Sequence, residues 1–419
     1  MVTAGAAGDV PVDVPGRAPL GRLDARHPLR PLADRLLRGA GDRAADLAGP
    51  VRAVTELRGG LVDGRWTAQR FYCSLQARDP RTGRFDAWTA NWSAGGPATW
   101  SRLPADPKLP ALADALGGDG EIDGEIDGAV EVLRYVPLRR FTYRAGGRVT
   151  KIKRRSRLQD SWTRTRAVEE AVARGRRGAG PRFAVPALLG VDERACSYTQ
   201  ADVAGDELAH LASGDRLAPL LAEAGGVHAA FHTLDAAGLP AGPTWSGVRE
   251  TTARDAAWAA WLLPDLAPAL ARATATLHAF APGPAQPQDV VTCHGDLVPS
   301  HLLGGPGEWT VIDHDLAQRG DRYRDLAMFV AGLAFDVPAL ADGAAADPTH
   351  AAAAQAYLGG YEDVLGRRLD RRRLARHLLA AHLHHAALLA SKDRADDAAV
   401  AATAARLTAA ADVVEDGAR

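Results

Sequence analysis

The chain has 419 residues, of which 47% are hydrophobic and 24% charged, and its formal net charge is -1. These values are ordinary for globular proteins and exclude general disorder. The near-neutral net charge provides no excess of positive charge with which the protein would bind nucleic acid. The three cysteines lie far apart, which excludes a disulfide scaffold and a zinc site built on paired cysteines. No apolar run reaches about 18 residues, and the N-terminus lacks a compact apolar signal core. We therefore expect a cytoplasmic protein without a membrane partner.

The N-terminal part of the chain divides into a tail and an accessory region. Residues 1–25 are rich in Gly, Pro and Ala, and we expect them to be disordered. Residues 26–118 form the expected accessory region, which opens with helical spacing of apolar residues over 29–48. Aromatic and β-branched stretches within 51–103 then predict a small sheet.

The next region, residues 119–204, is predicted to be a small β-rich lobe. Its strand-like segments are separated by Pro137 and by a turn at 145–147, and the segment RVTKIKRR follows that turn. The pattern WTRTRAVEEAVARG predicts a helix over 162–175, and two short strands are expected after it.

The remainder, residues 205–419, is predicted to be a helical lobe with one strand-like interruption at 289–317. A sheet-rich part followed by a helix-rich part predicts an α+β fold of two lobes with a cleft between them. In the interruption, Asp296 and Asp313 each follow a short apolar strand. Phosphoryl transfer needs two such carboxylates, one to orient the attacking hydroxyl and one to hold Mg²⁺. As isolated turn residues they would only accept backbone hydrogen bonds, which is the alternative interpretation.

The combined pattern HGDLVPSH, VIDHD and GDRYRDLA resembles the aminoglycoside phosphotransferase and choline kinase superfamily, which has a protein-kinase-like fold. The resemblance covers about residues 130–400. It implies a catalytic loop at 292–303, in which Asp296 is the catalytic base or hydroxyl-orienting residue. His294 belongs to the same motif and is a further catalytic candidate.

The same resemblance implies a metal-binding segment at 311–327, with Asp313 as the main Mg²⁺ ligand and Asp325 as a brace of the catalytic loop. Asp315 is a further candidate for holding the acceptor or the metal. The metal-binding asparagine of the family falls at position 301, where this chain has His301. Because Mg²⁺ prefers hard oxygen ligands, the histidine is expected to bind a phosphate, to hold a water on the metal or to mark a weakened site.

The β-rich lobe offers candidates for a nucleotide cradle. A kinase needs a cation against the phosphates, fixed by a helix carboxylate. Lys151 and Lys153 share one face of their strand because strand side chains alternate. Lys151 is preferred, since Val149 and Lys151 would both point at the nucleotide, and a solvated basic face is the alternative. The following helix offers Glu169 or Glu170 as the partner of the lysine, unless these are solvated surface charges.

A glycine-rich GxGxxG loop is missing before this strand. The segment RYVPLRR stands in its place, and it looks like the RYxPxRR segment of some bacterial members of the superfamily. Arg139 or Arg140, together with backbone amides, would then cover the phosphates, because arginine forms bidentate phosphate contacts. An exposed basic hairpin is the alternative.

The resemblance implies ATP or GTP and Mg²⁺ as cofactors and transfer of the γ-phosphoryl group to a hydroxyl. The expected acceptor is a small molecule such as an aminoglycoside, an aminocyclitol or a sugar. Two alternatives stay open: a Ser/Thr kinase acting on a peptide in natural-product biosynthesis, and a nucleotide-binding pseudokinase, which His301 motivates.

Overall fold

The computed structural model describes most of the chain. The described residues are 40, 43–48, 50–62, 65–94, 96–109, 111–115, 130–175, 183–280, 285–336, 348–391 and 397–417. The chain divides into two compact units, Met1–Asp106 with Ser391–Ala395 and Pro107–Ala390 with Asp396–Arg419. The tail at 1–25 lies outside the described residues. None of the described helices is long and apolar enough to cross a membrane.

The first unit contains the small sheet predicted within 51–103. Four strands pair in chain order, and every neighbouring pair is antiparallel. Leu75 and Ala77 are buried in a small core together with Ala44 and Leu47 from the preceding segment. The strands are β1 Val51–Val62, β2 Arg65–Arg78, β3 Phe85–Ser93 and β4 Thr99–Arg102.

The second unit begins with a short helix and a five-stranded antiparallel sheet. The strands lie in the order β5, β6, β7, β10, β9, so the strand carrying the two lysines is central. These elements are α1 Ala111–Ala115, β5 Glu131–Val136, β6 Arg140–Ala145, β7 Arg148–Lys153, α2 Arg155–Gly175, β8 Phe183–Ala184, β9 Leu188–Asp192 and β10 Ser197–Ala201.

Helix α2 starts seven residues before the predicted helix at 162–175. The added segment contains a single large apolar residue, Leu158, which is buried, so its helical periodicity is weak in the sequence. Because only Arg154 separates Lys153 from the helix, the strand leads directly into it.

The rest of the second unit is mainly helical, which confirms the predicted α+β fold with a β-rich N-lobe and a helical C-lobe. Its main core packs aromatic side chains without solvent exposure, including Phe231, Phe329, Tyr357 and Tyr361. The helices are α3 Leu208–Leu211, α4 Leu217–His232, α5 Trp245–Leu262, α6 Ala267–Ala279, α7 Arg322–Asp336, α8 Pro348–Leu365, α9 Arg371–Ser391 and α10 Asp397–Asp416.

Two small sheets interrupt the helices and carry the predicted catalytic segment. Strands β11, β13 and β14 pair antiparallel, and β14 pairs parallel with β8. Strands β12 and β15 form a separate antiparallel pair. These strands are β11 Asp206–Glu207, β12 Val290–Cys293, β13 Leu302–Gly305, β14 Glu308–Val311 and β15 Gln318–Asp321.

Helices α4 and α8 touch through their backbones. A β-carbon at Gly225 would lie 1.9 Å from the carbonyl oxygen of Tyr357, and one at Gly360 would lie 1.9 Å from that of Ala222. Because no side chain fits there, the two helices approach closely, and this contact brings tyrosines of α8 next to histidines of α4.

Candidate active site

The predicted catalytic loop runs from the end of β12 to the start of β13. Gly295 adopts φ +85°, and a β-carbon there would lie 2.3 Å from the carbonyl oxygen of Leu316. Only glycine satisfies both conditions without strain. The loop ends in a single 3₁₀ turn at Pro299–His301, whose proline has the fixed φ that suits the start of such a turn.

Asp325 of α7 binds the backbone of this loop. Its carboxylate accepts hydrogen bonds from the backbone amides of His294, at 2.7 Å, and Gly295, at 2.8 Å. The Nε2 atoms of His228 and His232 lie 3.1 Å and 3.2 Å from the same carboxylate. With Asp325 only 1% exposed, burial would raise its pKa, but the two histidines outweigh burial and hold the pKa well below its usual range. The Asp325 carboxylate thus ties the start of this loop to α7, and its role as a brace of a catalytic loop stays a prediction.

The two histidines are in turn held by tyrosines of α8. His228 Nδ1 contacts the Tyr357 hydroxyl, and His232 Nδ1 lies 2.7 Å from the Tyr361 hydroxyl. The ionised Asp325 carboxylate only accepts hydrogen bonds, so each Nε2 carries the hydrogen that faces it and each neutral ring accepts at Nδ1 from a tyrosine hydroxyl. Burial, with His228 next to it, lowers the pKa of His232 to about 3. The three ligand-type atoms of this group lie within 4.8 Å of one another, but all of them are engaged in hydrogen bonds, so the group is a structural brace.

The carboxylate of Asp296 is the unengaged acid of the site. It makes no hydrogen bond or ion pair with any residue in the described part of the chain, and only its backbone carbonyl is bonded, to His301 Nδ1 at 2.9 Å. Burial, together with the negative charge of Asp313, raises the pKa of Asp296. Such a carboxylate is available to accept a proton from a bound hydroxyl.

Asp313 faces two cations from the sheet. The Lys151 ammonium donates to its Oδ1 at 2.8 Å, and the Arg140 guanidinium donates to its Oδ2 at 3.2 Å. Burial alone would raise the pKa of Asp313, but Lys151 and Arg140 outweigh it and hold the pKa well below its usual range. The residue adopts the left-handed conformation, with φ 65° and ψ 49°, which turns the chain sharply after β14. The structure therefore brings Asp313 and Lys151 together.

A second ion pair lies beside the first. The Lys153 ammonium contacts Asp315 Oδ2, and the Tyr198 hydroxyl donates to Oδ1 of the same carboxylate. Lys153, Asp315 and Tyr198 are all buried. Asp315 was a candidate for the acceptor or the metal, but the structure engages both of its oxygens internally. The sequence pattern favours Lys151 over Lys153 and so does not predict this ion pair. Tyr198 lies 117 residues from Asp315 in the chain, and no local sequence pattern indicates that the two residues meet.

The structure does not bring either predicted glutamate to Lys151. Glu169 accepts a hydrogen bond from the backbone amide of Leu188 at 2.9 Å, and Glu170 pairs with Arg166 on the exposed face of α2 at 2.8 Å. The helix starts immediately after β7, so Glu169 reaches the edge strand β9. The carboxylates that meet the lysines come from the segment after β14.

The remaining sequence candidates occupy different settings. Val149 is buried in β7. Arg139 is exposed at the turn after β5, next to Leu138, which has φ 61°. His294 is fully buried, and its Nε2 lies 2.9 Å from the carbonyl oxygen of Ile312. The side chain of His294 therefore lies in the protein interior. Burial, together with the neighbouring His301, lowers its pKa to about 4.

His301 lies between the two acidic segments. Its Nδ1 bonds the backbone carbonyl of Asp296, and its Nε2 lies 3.7 Å from Asp313 Oδ2. His301 Nε2 and the Asp313 carboxylate thus lie close to each other, and both are groups that bind divalent cations.

Comparisons with known proteins identify a family for this chain. The family model described as the phosphotransferase enzyme family matches residues 139–368, which is more than half of the chain. No curated protein sequence matches the chain significantly.

Several solved structures are similar at low identity. A choline/ethanolamine kinase family protein from Mesorhizobium loti is 15% identical, with a TM-score of 0.47, covering 68% of this chain and 89% of that chain. The aminoglycoside phosphotransferase APH(3'')-Id from Streptomyces rimosus, in complex with ADP and streptomycin, is 20% identical, with a TM-score of 0.42 and coverage of 66% and 98%. An ethanolamine kinase from Plasmodium vivax is 10% identical, with a TM-score of 0.40 and coverage of 67% and 82%.

Proposed function

The chain belongs to the phosphotransferase enzyme family, and from that premise we propose that it transfers the γ-phosphoryl group of ATP or GTP to a hydroxyl group of a small molecule. The acceptor class that the motif resemblance favours is an aminoglycoside, an aminocyclitol or a sugar. The observation that carries the proposal is the unengaged, partly buried carboxylate of Asp296 beside a cluster of cations.

In the proposed reaction, Asp296 orients the acceptor hydroxyl and takes up its proton as the oxygen attacks the γ-phosphorus. A new oxygen–phosphorus bond forms, the bond to the β-phosphate oxygen breaks, and the nucleoside diphosphate leaves. A raised pKa suits this role, because the carboxylate then accepts a proton more readily. In-line positioning and charge neutralisation supply most of the rate in phosphoryl transfer.

The cations of the sheet would hold the phosphates. Lys151 and Arg140 already converge on Asp313, and Arg139 at the neighbouring turn is exposed. Asp313 and His301 would hold a divalent cation, which, when bound, supplies further neutralisation of the phosphate charge. Lys153 and Asp315 would keep Lys151 in place, since the two lysines share one face of β7.

The test is phosphoryl transfer by the full chain. Nucleoside diphosphate production is measured with ATP or GTP, Mg²⁺ and a panel of hydroxyl-bearing acceptors. We expect Asp296→Asn to lower kcat by at least about 100-fold, the lower range for a lost general base. Nucleotide affinity, measured by calorimetry, should not weaken. Asp363→Asn, at an exposed position on α8, is the matched control and should leave both quantities unchanged.

Two results would contradict the proposal. Equal turnover in the Asp296→Asn variant would remove the base assignment. Tight nucleotide binding without transfer to any acceptor in the panel would instead support a pseudokinase.

A further inference from the structure

We propose that the divalent-cation site of this chain is a mixed nitrogen and oxygen site, in which His301 Nε2 and the Asp313 carboxylate both bind the ion directly. Such a site favours first-row transition ions over Mg²⁺. The inference rests on the proposed function, because the phosphates of a bound nucleotide are expected to complete the coordination.

The hydrogen bond of His301 determines which ring nitrogen is free. Its Nδ1 lies 2.9 Å from the backbone carbonyl oxygen of Asp296, and a carbonyl oxygen only accepts hydrogen bonds. Nδ1 must therefore carry the hydrogen, which leaves the lone pair of the neutral ring on Nε2. A hydrogen bond of this kind at the second nitrogen is the usual way in which proteins orient a metal-binding imidazole.

The free nitrogen faces Asp313 at a distance that suits a shared ion. Nε2 lies 3.7 Å from Asp313 Oδ2, beyond the range of a hydrogen bond. Oδ2 also accepts a hydrogen bond from Arg140 at 3.2 Å, and its second lone pair is the one that would bind the ion. Two ligand atoms about 2.1–2.2 Å from one ion, at angles of about 90–120°, lie roughly 3.0–3.7 Å from each other. The two atoms are thus spaced like neighbouring ligands of one cation.

The ring of His301 is fixed in this orientation. It is 8% exposed and stacks on His294, with ring centroids 5.8 Å apart and an interplanar angle of 28°. The backbone amide of Ile312 donates to the carbonyl oxygen of His301 at 3.0 Å, which ties the catalytic loop to the segment before Asp313. Little reorganisation is needed for Nε2 to meet an ion held by Asp313.

The chemistry of this donor set disfavours Mg²⁺. That ion demands oxygen ligands in near-ideal octahedral geometry and loses its waters reluctantly. Imidazole binds transition ions more readily, whereas carboxylate and phosphate oxygens serve both kinds of ion. The histidine therefore shifts the preference of the site, while Asp313 and the phosphates keep it usable by either ion.

The experiment uses the full chain with Mn²⁺ and AMP-PCP, a nucleotide analogue without nitrogen in its phosphate chain. Electron spin echo envelope modulation detects nitrogen bound directly to Mn²⁺. We expect a ¹⁴N modulation that changes when the protein is labelled with ¹⁵N-histidine and that disappears in His301→Asn. The variant His278→Asn, at an exposed position near the end of α6, is the control and should retain the modulation.

A second measurement compares Co²⁺ and Mg²⁺ affinity by calorimetry in the presence of AMP-PCP. We expect the preference for Co²⁺ to fall at least about tenfold in His301→Asn, the lower range for a disturbed metal ligand. An unchanged preference, Mn²⁺ bound without histidine coupling, or no Mn²⁺ bound at all would each overturn the inference. The isotope comparison needs no variant, so a folding defect in His301→Asn leaves the test intact.

The outcomes separate this inference from the proposed function. Phosphoryl transfer with Mg²⁺ but no histidine coupling would refute the mixed site alone. Histidine coupling without transfer to any acceptor would refute the proposed function and keep the mixed site.

Discussion

Replacing Asp325 by alanine should strongly destabilise the second unit, because this carboxylate serves four buried donors. It accepts from the backbone amides of His294 and Gly295 and from the side chains of His228 and His232. Leaving one buried donor without a partner costs about 1–3 kcal/mol. Even at the lower bound the four donors amount to roughly 4 kcal/mol, a large part of the about 5–15 kcal/mol that stabilises a typical domain.

Asp325→Asn should cost about half as much, since one acceptor oxygen remains and a neutral histidine can change tautomer to accept from the amide. Unfolding in urea gives the free energies, and hydrogen exchange at the amides of residues 294 and 295 reports the loop itself. Exchange there should accelerate in both variants. Asp363→Ala, at an exposed position, should change stability by less than about 0.5 kcal/mol. A loss below about 1 kcal/mol in Asp325→Ala, or unchanged exchange at these two amides, would refute the reasoning.

Three further results are expected. Lys153→Met should lower the free energy of unfolding in urea by about 3–5 kcal/mol, because it leaves the Asp315 charge buried without its partner. Adding Asp315→Leu should recover part of this loss, and additive losses in the double variant would contradict the reasoning. Because the pKa of His232 is about 3 in the folded chain and 6.5 otherwise, the unfolded chain takes up a proton first as pH falls. Between about pH 6.5 and pH 3, His232 should contribute a drop of about 1.4 kcal/mol per pH unit to the unfolding free energy, in addition to the drop from other buried histidines such as His294. The slope should be shallower by that amount in His232→Gln, and equal slopes would contradict it. Gly225→Ala should lower the melting temperature, since its β-carbon collides with the Tyr357 carbonyl, whereas Gly359→Ala, where a β-carbon meets open space, should not.

The sequence predicted the positions of residues best where these belong to short, local patterns. Asp296, Asp313 and Asp325 each lie in a compact motif, and their relative placement follows from strand–loop spacing. Alternation along β7 predicted that two lysines share a face, and both are indeed buried against carboxylates. The α+β architecture followed from the change of periodicity near residue 205.

Partners from distant elements were beyond sequence reasoning. The hydroxyl of Tyr361 meets His232 only because α4 and α8 touch at two glycines, and nothing in the local pattern of α8 indicates this contact. From the sequence, Glu169 or Glu170 is expected to pair with the lysine, on the assumption that a helix carboxylate supplies the counter-charge. The short connection from β7 to α2 leaves Glu169 at the amide of Leu188 instead.

The two lysine–aspartate pairs have a mechanical consequence. Both ammonium groups project from one strand of the N-lobe, and both carboxylates belong to one short segment of the C-lobe, two residues apart. A translation of the sheet away from this segment lengthens both pairs at once. Separating the sheet from this segment must also break the contacts of Arg140 with Asp313 and of Tyr198 with Asp315, so separation is resisted by four contacts in parallel and becomes a single cooperative event.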